Sequence, residues 1–223
     1  MNKYLKTTLV FLSFLIYPAF ITFPFFIFGG DFNFLPNSLK ITYLISYSSI
    51  FLCFIILVYK KELIKYYQDF LINGKKYITE SLRYWYLGLI IMILSNLIIT
   101  TISPINIAEN EEKVRTLLGI IPLYMIFSTV LYAPIVEEII CRQAIKDIVK
   151  EKWPFIIISG FIFGFAHVIG LASSPWSFLY IIPYGALGSV FAYVFYQTKN
   201  LFSSIFLHAL HNGILITLYL IVF

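Results

Sequence analysis

Seven apolar runs of about twenty residues dominate the chain, at about 7–28, 41–59, 84–103, 117–140, 154–172, 176–197 and 201–223. Some 20 apolar residues cross the hydrocarbon core of a bilayer as a helix. A backbone in lipid must satisfy its own hydrogen bonds, so runs of this length fold as helices. The composition agrees. The 223 residues are 60% hydrophobic and only 12% charged, with mean hydropathy +0.88, where a soluble domain carries about 25% charged residues. The expectation is an all-α, polytopic membrane bundle with about seven transmembrane helices, forming one domain over 1–223.

One segment has a different character. Between the second and third runs, 60–83 mixes Lys60, Lys61, Lys65, Lys75, Lys76 and Arg83 with Leu63, Ile64, Tyr66, Tyr67, Phe70 and Leu71. That pattern predicts an interfacial amphipathic helix, with a turn near Asn73-Gly74. The net charge of +5 does not point to nucleic acid, because the basic residues are scattered over short loops where they act as topology signals. Lys3 and Lys6, 60–83, the loop 142–152 with Arg142 and Lys146, and Lys199 all fall on one side. Glu109, Glu111 and Glu112 fall on the other. The N-terminus is therefore expected in the cytoplasm and the C-terminus outside. Cys53 and Cys141 are too few and too separated for a disulfide framework or a thiolate metal site.

Ionisable groups inside the runs are the second constraint. A charged residue at a helix centre costs roughly 2.5–3.5 kcal/mol on insertion scales. Yet Glu137 and Glu138 are adjacent within the fourth run and are followed by Arg142. Glu138 and Arg142 are four apart and share a helix face. An ion pair there neutralises one carboxylate and leaves Glu137 unexplained. All three histidines also lie in apolar runs: His167 after Phe163-Gly164, and His208 and His211 beside Asn212. His208 and Asn212 again share a face. One or two such groups make an interhelical clamp. A Glu pair, an Arg, three His and an Asn from three separate runs make a candidate site.

Glu137-Glu138…Arg142, Phe163…His167 and His208…Asn212, in that order, resemble the CPBP family of intramembrane proteases, also called the CAAX-protease, bacteriocin-processing or Abi family. That family carries EExxxR, FxxxH and HxxxN or HxxxD on successive core helices. The resemblance covers about 117–215. It implies hydrolysis of a peptide bond in a peptide or membrane-associated protein substrate, at a site within the lipid bilayer. A carboxylate shielded from water is a stronger base than one in solution. Glu137 is the candidate base, assisted by His167; His208 and Asn212 are the candidate oxyanion donors. Glu138 and Arg142 are supporting residues. A Zn²⁺ version would use Glu137, His167 and His208. HExxH is absent, and the metal-free glutamate reading is preferred. Two other classes stay open: an idle membrane scaffold or bacteriocin-immunity factor, and a proton-coupled transporter. The absence of an inverted repeat weighs against the transporter.

Straight, upright helices with these boundaries would hold Glu137 near one end of its run and His167 far from it. The fourth helix must therefore be embedded further, or the fifth tilted.

Overall fold

The computed structural model describes residues 2–27 and 29–222. Among them six helices are long and apolar enough to cross a membrane, and one shorter apolar helix joins them. We label the helices α1 (Lys3–Ile27), α2 (Asn37–Val58), α3 (Lys60–Ile102), α4 (Glu109–Ile120), α5 (Pro122–Ile148), α6 (Lys152–Val168), α7 (Ile181–Thr198) and α8 (Leu201–Val222). A 3₁₀ segment, Pro175–Tyr180, leads into α7. The chain is a helical membrane bundle. Large apolar side chains are left outside, such as Leu15 on α1, Leu97 on α3 and Ile221 on α8. In water such a surface would aggregate; against lipid tails it is the required exterior.

Three sequence expectations need correction. First, no turn occurs at Asn73-Gly74. The amphipathic segment and the third run form one continuous helix, α3, of 43 residues. At 1.5 Å per residue it is about 64 Å long, twice the hydrocarbon thickness. Helix 60–83 is held by its side chains. Asn73 Nδ2 donates to Asp69 Oδ1 one turn earlier, at 2.8 Å. Asn200, fully buried before α8, donates to Tyr66 O and Asp69 Oδ2 at 2.8 and 2.7 Å. Second, Arg142 is not a loop residue. It is completely buried inside α5, which runs on to Ile148. Third, the fourth run breaks at its start. Ile121 leaves helical geometry (φ −135°, ψ 60°) before Pro122, so α4 is a separate helix. Together these changes place Glu137 near the middle of α5 and resolve the depth conflict raised by the sequence.

α5 is not a uniform α-helix. Phe127–Tyr132 and Ile139–Ala144 are π-helical, and the α-helical turn Ala133–Glu138 sits between them. Pro134 explains the first. It has no N–H, and its ring collides with the carbonyl four residues earlier. At the second, the Cys141 carbonyl accepts a hydrogen bond from Ser159 Oγ of α6. Wide turns of this kind turn the side chains between them away from a regular helical course, and they recur at functional sites.

α6 and α7 are the most closely packed pair. Gly160 and Gly164 of α6 meet Gly185 of α7 and its neighbours backbone to backbone. A Cβ on Gly164 would stand 2.6 Å from Ile181 O and 2.8 Å from Gly185 N. Small residues allow this approach where lipid supplies no hydrophobic drive. Ala166, in contrast, is exposed and takes no part. Gly164→Ala is expected to force the pair apart and destabilise the protein by about 1–3 kcal/mol. A lowered thermal unfolding midpoint in detergent would register this; an unchanged midpoint would contradict it.

Candidate active site

Three helices bring the ionisable groups together. α5 supplies Glu137, Glu138 and Arg142, α6 supplies His167, and α8 supplies His208, His211 and Asn212. The two adjacent carboxylates face different surroundings. Glu138 is fully buried, with Oε2 3.0 Å from Arg142 Nε and Oε1 3.0 Å from His208 Nδ1. The Arg142 contact is a close ion pair without hydrogen-bond alignment. Arg142 is held from elsewhere as well. Its Nη1 donates to Ser159 Oγ at 3.1 Å, and its guanidinium lies 4.9 Å from the centre of the Phe163 ring.

Glu137 is placed otherwise. Its Oε2 is a buried acceptor with no hydrogen-bond donor among the described residues. It faces His167 Nε2 at 3.9 Å and His208 Nε2 at 3.8 Å. Both separations are too long for direct hydrogen bonds and too short for a water in line between the atoms; a water that bridges them sits to one side.

The two imidazoles are oriented by their other nitrogens. His167 Nδ1 is 2.9 Å from Phe163 O. A carbonyl only accepts, so Nδ1 carries the proton, and Nε2 of neutral His167 is an acceptor. The His167 ring lies between Phe163 and Tyr184, with centroids at 4.4 and 4.8 Å. His208 directs Nδ1 to a carboxylate and stacks on Phe191 at 5.0 Å. Asn212 Nδ2 donates to Thr129 O in the first π-helical stretch, at 2.8 Å. That bond uses one of its two N–H donors. His211 is buried, with its ring edge-on to Trp85.

The sequence did not reveal Ser159, Tyr184, Phe191 or Thr129. Ser159 had a signal: Ser159, Phe163 and His167 are spaced by four and line one face of α6. The two aromatics had none, because aromatic residues occur throughout the apolar runs.

These groups meet at one end of a cavity of about 580 Å³, within the size range of ligand sites. As a metal site the donor types of Glu137, His167 and His208 suit Zn²⁺. Tetrahedral ligands at about 2.0–2.1 Å would place neighbouring donor atoms about 3.3 Å apart. The facing atoms here stand at 3.8 and 3.9 Å, and no group of three His, Cys, Asp or Glu among the described residues is arranged to hold a metal ion.

Residues 119–214 match the family model described as "Type II CAAX prenyl endopeptidase Rce1-like". A Bacillus subtilis (strain 168) protein named "Putative membrane peptidase YdiL" is 30% identical over 116 residues. The match covers 51% of this chain and 44% of the relative, so the chain spans under half of that protein's length. No solved structure matches. All three motifs fall within 119–214, the segment that this model matches.

Arg142→Met is expected to cost about 3–5 kcal/mol, because it leaves the Glu138 charge buried without its cation. Glu138→Gln added to Arg142→Met should recover part of that loss in thermal unfolding. A single variant as stable as the wild type would show that the pair is not required.

Proposed function

We propose that residues 119–214 form a CPBP-family core and that the chain is an intramembrane endopeptidase of the glutamate type. One observation carries the reading: Glu137 Oε2 is a buried acceptor facing two imidazole nitrogens at distances that a water to one side bridges. In this mechanism Glu137 removes a proton from that water, and His167 Nε2 accepts the second hydrogen and aims the oxygen. The oxygen attacks the carbonyl carbon of the scissile bond. The negative charge that develops on the carbonyl oxygen is met by His208 and by the second N–H of Asn212. His208 donates from Nε2 while its Nδ1–H is engaged by Glu138, which requires a proton on both nitrogens. The buried charges then balance: two carboxylates, one guanidinium and one imidazolium. On collapse, the C–N bond breaks and Glu137 passes its proton to the departing amine. Glu138 and Arg142 do not touch the substrate; they hold His208 and the second π-helical turn.

Turnover of a peptide substrate by purified protein tests the roles. Glu137→Gln is expected to lose roughly 10²–10⁴ in turnover, together with the acidic limb of the pH profile. Asn212→Ala is expected to lose about 10²–10³ at every pH, since Asn does not titrate. His211→Ala should be milder than His208→Ala. Full turnover by Asn212→Ala would remove the oxyanion assignment. Activity should also survive stringent chelation. Loss that Zn²⁺ alone restores would replace the glutamate mechanism with a metal one. A binding protein without activity, or a transporter, would show no Glu137-dependent cleavage at all.

The orientation proposed for the termini, N-terminus in the cytoplasm and C-terminus outside, rests on how the charges gather. Contacts Lys6–Glu62, Tyr59–Asp147 and Asn200–Asp69 tie the starts of α1, α3 and α8 and the end of α5 into one basic end. Glu109, Glu111 and Glu112 lie at the other end, on α4. Single cysteines at Lys75 and at Glu112 should label with an impermeant reagent from inside and outside respectively. Labelling of Lys75→Cys from outside would reverse the topology.

A further inference from the structure

The cavity lined by Glu137 and His208 extends to α4, where Val114, Leu117 and Leu118 form the apolar part of its wall and Asn110, Glu111, Lys113 and Arg115 the polar part. α4 packs on the bundle through Val114, Leu117 and Leu118, which join Leu44 of α2, Met125 of α5 and Ile216 of α8 in one apolar cluster. Its buried residue is Leu118. It is separated from α5 by the break at Ile121 and from α3 by an irregular stretch containing Pro104. Its N-cap residue, Ala108, supplies no side-chain hydrogen bond. Arg115 bonds within the same helix, to Glu111 at 2.9 Å, and lies over the Tyr219 ring of α8 at 5.6 Å.

A single carboxylate makes most of the polar connection to the rest of the bundle. Glu109 Oε1 accepts from Ser173 Oγ at 2.8 Å, from Ser173 N at 3.3 Å and from buried Ser177 Oγ. Ser173 and Ser177 belong to the turn between α6 and α7. Partial burial raises the proton affinity of Glu109, but the bonds from Ser177 and Ser173 outweigh it, and the group stays below its ordinary range. It is thus an anion at neutral pH and holds these donors strongly. The next residue, Asn110, faces the hydroxyl of Tyr184, whose ring stacks on His167. The wall and the proposed water site are therefore two side chains apart.

We propose that α4 is a movable wall of the cavity, latched by Glu109 on Ser173 and Ser177, and that a peptide segment with apolar side chains enters by its displacement and lies against Val114, Leu117 and Leu118. The substrate side of this inference rests on the peptidase reading. The motion does not. Apolar lining selects apolar side chains, and a cavity of about 580 Å³ holds a short stretch of extended chain rather than a folded domain. A short helix held by one apolar cluster and one polar latch, with a backbone break at each end, has the form of a lid that opens over an active site. Tyr184 is a positioning residue in this scheme, since it reaches the reaction through His167.

The test is thiol labelling of detergent-purified protein carrying Cys53→Ser and Leu118→Cys. Cys53 is exposed and would react; Cys141 is buried. Leu118 is buried, so displacement of α4 raises the access of a water-soluble maleimide to position 118. Glu109→Ala should speed labelling by about tenfold or more, the worth of hydrogen bonds to a charged group. Ser177→Ala, a milder change, should give a smaller increase in the same direction. Unchanged rates in both variants would overturn the latch. In a second arm, Glu109→Cys and Ser173→Cys joined by a short bifunctional thiol reagent should block peptide cleavage, with turnover returning when a cleavable linker is cut. Cleavage at the wild-type rate with the linker in place would overturn entry by this route. Wild-type protein that cleaves no peptide would sink the peptidase reading alone, because labelling needs no turnover.

Discussion

Everything at the centre of the bundle depends on the buried charge of Glu138. A carboxylate with no solvent exposure is tolerable only if paired and hydrogen-bonded. Arg142 on one side and His208 on the other meet that demand at 3.0 Å each. Arg142 in turn recruits Ser159 and the Phe163 ring. One charge thereby ties α5 to both α6 and α8 and sets the His208 ring. Its neighbour Glu137 is left with an unengaged oxygen because Arg142 and His208 Nδ1 are already committed. The asymmetry between the two carboxylates is produced by their partners and not by their chemistry.

The backbone of α5 is the second element of the arrangement. A regular α-helix would keep every carbonyl engaged within the helix. Two π-helical stretches change that condition. They free carbonyls that Asn212 and Ser159 then use, at Thr129 and Cys141. Irregular backbone at membrane depth survives only where it is buried in protein or lines a cavity, and here it does both. The close contact of α6 with α7 adds the last piece. Gly160 and Gly164 let α7 approach closely enough for Tyr184 and Phe191 to cover the faces of His167 and His208.

The sequence by itself determined the class of fold and the candidates for the site. Runs of 20 apolar residues leave a chain no choice but membrane helices, and ionisable residues inside them are rare enough to stand out. Glu137, Glu138, Arg142, His167 and His208 were all visible for that reason, and Asn212 through its spacing of four from His208. Helix ends were less so. Hydropathy cannot see that α3 runs unbroken through Gly74, where Asn73 and Asp69 bridge one turn, or that Ile121 splits the fourth run. Only the tertiary structure decided which carboxylate is paired and which is free, since i,i+4 spacing shows a possible partner for Glu138 but not that His208 Nδ1 arrives from 70 residues away. It also decided depth. Arg142 counts as a loop cation in a charge tally, and becomes a buried one because Glu138, Ser159 and Phe163 surround it. Periodicity records what one helix offers to its own faces; which groups meet there is set by how the other helices pack against it.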